Sequence, residues 1–408
     1  MYLVTIKFIE VFTRAAFIVG TTYSLGLANA GQFGIVATLV GLFAFAFNWE
    51  RHIDIQRRNV DAPPEVFDRA VMAALPFWGF NQVLMLPVFV GVAALMAHLT
   101  PWQLLLAVVI VSCEHVANQT YQMALITRRY WHFLNIVAAK NIVVLVAVLP
   151  CILFAPSKLT LDYTLGVWAL GQALCVVAVL IMWLRLKRNA PHDTPFSFRE
   201  RIFAQHRASF THFQIGAVAI LALQFDRLAV GTLLPLADVG SYYRHVLAVS
   251  FVYQFFNVAS YNRIVPRVFA MAKSESVSAM FKPIKRELVM VYAAVGTGFA
   301  AAFGIDAALG YTITNKYHLS MALAALLVAG AILRVSADFG GMICHARMRE
   351  ALVLRAQAVS FAFGAVLLVL LTWRFGAFGT GLASVVTSAL FLFLIVRSVR
   401  ALPQGPSA

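Results

Sequence analysis

The fold class this sequence predicts is all-α, a polytopic membrane protein, and three observations predict it. Hydrophobic residues make up 61% of the 408 and charged residues only 12%, too few polar groups to cover the surface of a soluble domain. Apolar runs of roughly 18 residues or more recur, each long enough to cross a bilayer as a helix. Basic residues collect in alternate loops between those runs, as they do in the cytoplasmic loops of membrane proteins. That distribution accounts for the formal net charge of +15 without nucleic-acid binding.

The runs predict about twelve transmembrane helices, near 3–24, 31–49, 71–97, 102–126, 133–155, 163–185, 210–234, 240–262, 287–310, 319–345, 350–373 and 378–397. The first lacks a basic leader with a small-residue cleavage site, so no cleavable signal is expected. Loops after even-numbered runs carry Arg51, Arg57, Arg58 and Arg69; Arg128 and Arg129; Arg263, Arg267, Lys273, Lys282, Lys285 and Arg286; Arg347 and Arg349. The odd loops are short and offer only Lys158, Lys316 and Arg374. Both termini are therefore expected in the cytoplasm of a bacterial inner membrane protein. Cys113, Cys151, Cys175 and Cys344 lie far apart in apolar runs and read as small core residues.

One polar stretch, "KRNAPHDTPFSFRERIFAQHR" at 187–207, divides the runs into two sets of six. The expected organisation is an N-terminal six-helix bundle (1–186), a cytoplasmic linker (187–209), a C-terminal bundle (210–400) and a tail (401–408). Phe196, Phe198, Ile202 and Phe203 among arginines suggest a helix on the membrane surface, though a joint is the simpler role. The halves look alike: "LANAGQFG" (27–34) matches "LADVGSYY" (236–243) in character, each after the first run of its half. "TRRY" (127–130) and "ARMR" (346–349) close the fourth runs. Two repeats in one orientation imply a pseudo-twofold axis along the membrane normal and a cavity between the halves.

A charge at mid-membrane costs about 3 kcal/mol on insertion scales, so each one asks for a partner or water. Glu10 and Arg14 share a helix face, as do Arg334 and Asp338, and self-neutralising pairs are one reading of both. Glu114 and His115 lie in the fourth run. Lys140 and Arg244 lie near run ends and are expected to snorkel to the boundary. Asp226 and Arg227 are adjacent, point about 100° apart on a helix, and each needs a partner elsewhere. The basic lean of this inventory suits an anion. Arg14, Arg227, Arg334, Arg244 and Lys140 are the substrate-binding candidates, and Asp226, Asp338 and Glu114 the candidates for a coupling ion.

Three motifs carry a resemblance. "LGLANAGQFGIVATLVGLFAFAFNWERHIDIQRR" (25–58), "DRLAVGTLLPLADVGSYY" (226–243) and "WRFGAFGTGLASVV" (373–386) resemble, in order, the first hairpin, seventh span and last hairpin of bacterial polysaccharide flippases. Those are O-antigen-type, lipid-linked oligosaccharide flippases of the multidrug/oligosaccharidyl-lipid/polysaccharide exporter superfamily. The resemblance implies two six-helix bundles working by alternating access on an undecaprenyl-diphosphate-linked oligosaccharide. It singles out Asp226, Arg227, Gly240 and Tyr242, and more loosely Arg14. The fourteen-span lipid II flippases are the poorer fit, since no extra pair of runs is found.

The competing readings are a cation-coupled multidrug exporter of the same superfamily and a non-transporting subunit, ligase or polymerase of polysaccharide assembly. The short odd loops leave an enzyme little room for an external site. No GxxxxGK[ST] phosphate loop occurs. No cofactor and no metal is expected. The expected partners are the lipid-linked substrate, membrane lipids, and a polymerase and glycosyltransferases of the same pathway.

Overall fold

The computed structural model describes the chain except residues 1, 53–54, 56–62, 125–130, 156–157, 189–197, 256–259, 261, 273, 313–319 and 404–408. The described residues form helices and no strand: α1 (Tyr2–Ser24), α2 (Leu27–Asn48), α3 (Pro64–Ala97), α4 (Pro101–Ala124), α5 (Trp131–Phe154), α6 (Leu161–Arg188), α7 (Phe198–Leu233), α8 (Leu236–Phe255), α9 (Asn262–Met271), α10 (Val277–Thr312), α11 (Met321–Ala346) and α12 (Glu350–Arg400). This is the all-α class expected.

Among the described residues, eight helices are long and apolar enough to cross a membrane: α2 to α7, α11 and α12. Charged side chains interrupt α1 at Lys7, Glu10 and Arg14 and α8 at Asp238 and Arg244. The 51 residues of α12 hold two of the expected runs. They are divided at Gly376, whose φ of 60° and ψ of −145° only glycine adopts without strain. Thr372 Oγ1 and Thr380 Oγ1 meet at 2.8 Å across this kink. A Cβ on Gly379 would collide with the Leu371 carbonyl, so the backbone itself closes there. The short helix α9 was not anticipated; its Ile264 and Val268 are buried in a core shared with α10, α11 and both ends of α12.

The chain divides into two compact units, Met1–Gln224 and Phe225–Ala408, and the division falls inside α7. In the first unit α1 packs on α5, α2 on α3 and α4, and α4 on α6. Ile202 lies in this unit's core with Phe77, Trp78 and Val137. Of the residues read as a membrane-surface segment, Phe196 lies outside the described residues, while Phe198, Ile202 and Phe203 belong to the first turns of α7, where Ile202, Gln205 and Ser209 turn inward and Phe203 stays exposed. In the second unit α11 packs along α12. Gly330 lies against Ser384, and Gly340 against Ile395, so small residues admit the neighbouring helix.

The octapeptide match has a structural counterpart. The α2 helix begins at Leu27 and α8 at Leu236, the paired residues of the match. The preceding helices end on Leu25 N–H to Thr21 O at 2.9 Å and Leu234 N–H to Val230 O at 3.0 Å. The following ones open on Ala30 N–H to Gly26 O at 2.9 Å and Val239 N–H to Pro235 O at 3.0 Å. All four bonds are in register. The "TRRY" segment of the other match lies outside the described residues.

Candidate functional site

The first unit holds a polar cluster drawn from four helices. Glu114 of α4 is 2% exposed. Its Oε1 accepts from Arg14 Nη1 of α1 at 3.1 Å, and its Oε2 from Lys140 Nζ of α5 at 2.8 Å. Gln172 of α6 donates to the same Oε2 through Nε2 and accepts from Lys140 Nζ through Oε1 at 2.9 Å. Each of the four helices contributes one polar side chain to a common point. Gly171 makes the approach of α6 possible: a Cβ there would collide with Val144 of α5.

Lys140 therefore does not snorkel. Its side chain is 4% exposed and held by Glu114 and Gln172. Arg14 differs in being 38% exposed at its side chain. It lines a cleft with Phe17, Ile18, Asn141, Val144, Trp168 and Gln172. Phe17, Phe33 and Trp168 pack edge-on beside it, with centroids 5.7 to 6.1 Å apart. An arginine lining a cleft, backed by a buried lysine, is an arrangement that can engage an anion.

The second unit uses local partners instead. Asp226 Oδ2 of α7 accepts from the Tyr242 hydroxyl of α8 at 2.6 Å, and Tyr242 is buried. Arg227 follows in α7 and is half-buried. Arg334 Nε lies 3.4 Å from Asp338 Oδ1 one turn later, and its guanidinium sits 4.3 Å above the Phe391 ring. Arg244, expected at the outer boundary, is instead buried in α8. Sequence reasoning missed its neighbour His245. His245 Nδ1 donates to Ser241 O at 2.8 Å, and its Nε2 accepts at 2.7 Å from the N–H of Ser320, the N-cap of α11. Gln172 was missed as well, although a glutamine after glycine in "WALGQALCVV" is a visible break in an apolar run.

The candidates thus fall into separate groups: Arg14, Glu114 and Lys140 in the first unit, Asp226 with Arg227, and Arg334 with Asp338, in the second. Among the described residues no three His, Cys, Asp or Glu side chains gather as metal ligands.

No protein-family model and no curated sequence matches this chain. Solved structures do. The lipid II flippase MurJ in an inward closed conformation aligns over 98% of this chain and 88% of its own length, with a TM-score of 0.67 at 10% identity. A multidrug resistance MATE family transporter of the MOP superfamily, inward-facing, aligns over 97% and 95%, with a TM-score of 0.63 at 12% identity. The chain has the fold these two transporters share.

Proposed function

We propose that this protein is a flippase that carries an undecaprenyl-diphosphate-linked oligosaccharide from the cytoplasmic to the periplasmic leaflet by alternating access, for surface polysaccharide assembly. The observation that supports it best is the disposition of charge in the apolar helices. Glu114 is already engaged by Arg14, Lys140 and Gln172, and Asp338 by Arg334. Carboxylates so occupied have little left for a cationic drug, whereas Arg14 reaches the cleft. A diphosphate moving outward also runs with the membrane potential, at about 2.3 kcal/mol per charge per 100 mV, so transport needs no ion coupling. The fold shared with a lipid II flippase is consistent with this substrate class.

A second reading, the cation-coupled multidrug exporter, is favoured by one observation. The buried Oδ1 of Asp226 has no hydrogen-bond partner among the described residues. A cation-coupled exporter would lose drug efflux on Asp226→Asn. In cells, an Arg14, Arg227 and Arg334 triple alanine variant is expected to insert and accumulate yet stop glycan export. Arg→Lys at the same positions, keeping charge but not the two-pronged donor, is expected to leave partial activity. Full export by the triple variant at normal abundance contradicts the proposal. On the same reading, tags at residues 1 and 408 face the cytoplasm; labelling of 187–207 from outside intact cells would reverse that orientation.

A further inference from the structure

The cleft of the first unit is lined by one polar side chain that the ion cluster leaves aside. Asn141 follows Lys140 on α5, so the two point about 100° apart around the helix. Lys140 turns to Glu114 and Gln172, whereas Asn141 lines the cleft with Arg14 of α1 and Trp168 of α6. Asn141 is 9% exposed, and its Nδ2, which carries two hydrogens, meets no acceptor among the described residues. Buried donors are nearly always paired, so this amide calls for an acceptor that the helices do not supply. Among the described residues lining the cleft, Arg14 carries the charge and none is a carboxylate. A cationic and a neutral donor group, on the packed helices α1 and α5, thus border one small space.

The ion cluster behind the cleft lets Arg14 change partners. Glu114 gives Oε1 to Arg14 at 3.1 Å, and gives Oε2 to Lys140 at 2.8 Å and to Gln172. When Arg14 turns to another anion, Glu114 keeps a buried ammonium and an amide, so no buried carboxylate is left uncompensated. Lys140 lacks that freedom, because its side chain is 4% exposed and bound to both Glu114 and Gln172. The Arg14 side chain is 38% exposed, and a guanidinium has five N–H donors in a planar fork that fits phosphate oxygens.

We propose that Arg14 and Asn141 together form a seat for one phosphate group, and that Glu114 holds Arg14 while the seat is empty and releases it when phosphate arrives. The lipid-diphosphate source of that phosphate rests on the flippase reading above; the seat itself rests on the cleft. Asn141 is then a direct ligand of the anion, which nothing in its apolar run announces. Lys140 becomes the standing counter-charge of Glu114 and does not touch the substrate. The carboxylate competes with the phosphate for one arginine, so removing it together with its lysine should strengthen binding even though a basic residue is lost.

Native mass spectrometry of the full-length protein, titrated with undecaprenyl diphosphate, undecaprenol or inorganic pyrophosphate, tests the seat. The wild type is expected to bind the diphosphate lipid in preference to undecaprenol. Asn141→Ala is expected to weaken that binding about tenfold with an unchanged melting temperature, since its Nδ2 holds no other part of the protein. Asn141→Asp, which sets a carboxylate beside Arg14, is expected to weaken it further. Glu114→Gln combined with Lys140→Met leaves the net charge unchanged and is expected to bind more tightly than the wild type. Wild-type binding by Asn141→Ala would mark an amide satisfied by water and overturns the proposal, as does weaker binding by the double variant; the flippase reading survives both results. An Asn141→Ala variant too unstable to purify also overturns it, because the amide is then structural. Pyrophosphate binding that depends on Asn141, with undecaprenyl diphosphate ignored, upholds the seat and sinks the flippase reading. Binding of neither probe by the wild type overturns the seat.

Discussion

The starts of α2 and α8 are the same piece of structure set to different uses. From Leu27 and from Leu236 the eight paired residues follow one burial pattern, with the fourth, fifth, seventh and eighth buried in both. At the seventh position the aromatic ring differs by one hydroxyl. Phe33 packs on Phe17 and Trp168 and needs no polar partner. Tyr242 sits in the equivalent place and gives its hydroxyl to Asp226 in the preceding helix. The larger scale shows the same contrast. The first unit gathers charge into one knot spanning four helices, while the second neutralises it between neighbours in a hairpin or within one turn. Backbone framework is repeated; polar content is not.

Breaking the knot carries the largest expected effect. Glu114→Gln leaves Arg14 and Lys140 without their carboxylate and is expected to cost about 3–5 kcal/mol, read as a fall in melting temperature and membrane abundance. Adding Lys140→Met is expected to restore most of it. Next is Tyr242→Phe, which gives the second unit the ring of the first and strands Asp226, at a cost of about 1.5–3 kcal/mol. The reverse exchange, Phe33→Tyr, buries a hydroxyl with no acceptor and is expected to destabilise by about 1–3 kcal/mol in the same assay. The smallest effect belongs to Asp338→Asn, below about 1 kcal/mol, since Arg334 keeps the Phe391 face. A Glu114→Gln variant as stable as Asp338→Asn would erase the distinction between a cross-helix knot and a local pair.

Much of the fold was legible because insertion into lipid imposes long apolar runs; the octapeptide match marked equivalent places in the two halves, but the runs were expected to start at 31 and 240 whereas the helices begin at Leu27 and Leu236. Glu10, Arg14, Glu114, Lys140, Asp226 and Arg334 were conspicuous as charges in apolar surroundings. Their partners were not. Arg14 and Glu114 lie 100 residues apart, and nothing in either run states that α1 and α4 meet. The i,i+4 spacing of Arg334 and Asp338 did announce its pair, because both sit on one helix. The extension of α7 back to Phe198 was obscured by its arginines, which read as a surface segment while Ile202, Gln205 and Ser209 turned inward. The division of α12 at Gly376 was legible, because the glycines Gly376 and Gly379 separate two apolar runs where the backbone kinks.

The most direct test of an anion-carrying transporter is movement of a fluorescent polyprenyl-diphosphate oligosaccharide across proteoliposomes, scored by protection from an external quencher, beside the same polyprenol lacking phosphate. The purified protein is expected to move the diphosphate and not the neutral lipid. Arg14→Ala is expected to abolish that movement, while Asp338→Asn leaves it largely intact. Equal movement of both lipids, or wild-type transport by Arg14→Ala at equal reconstitution, would contradict it.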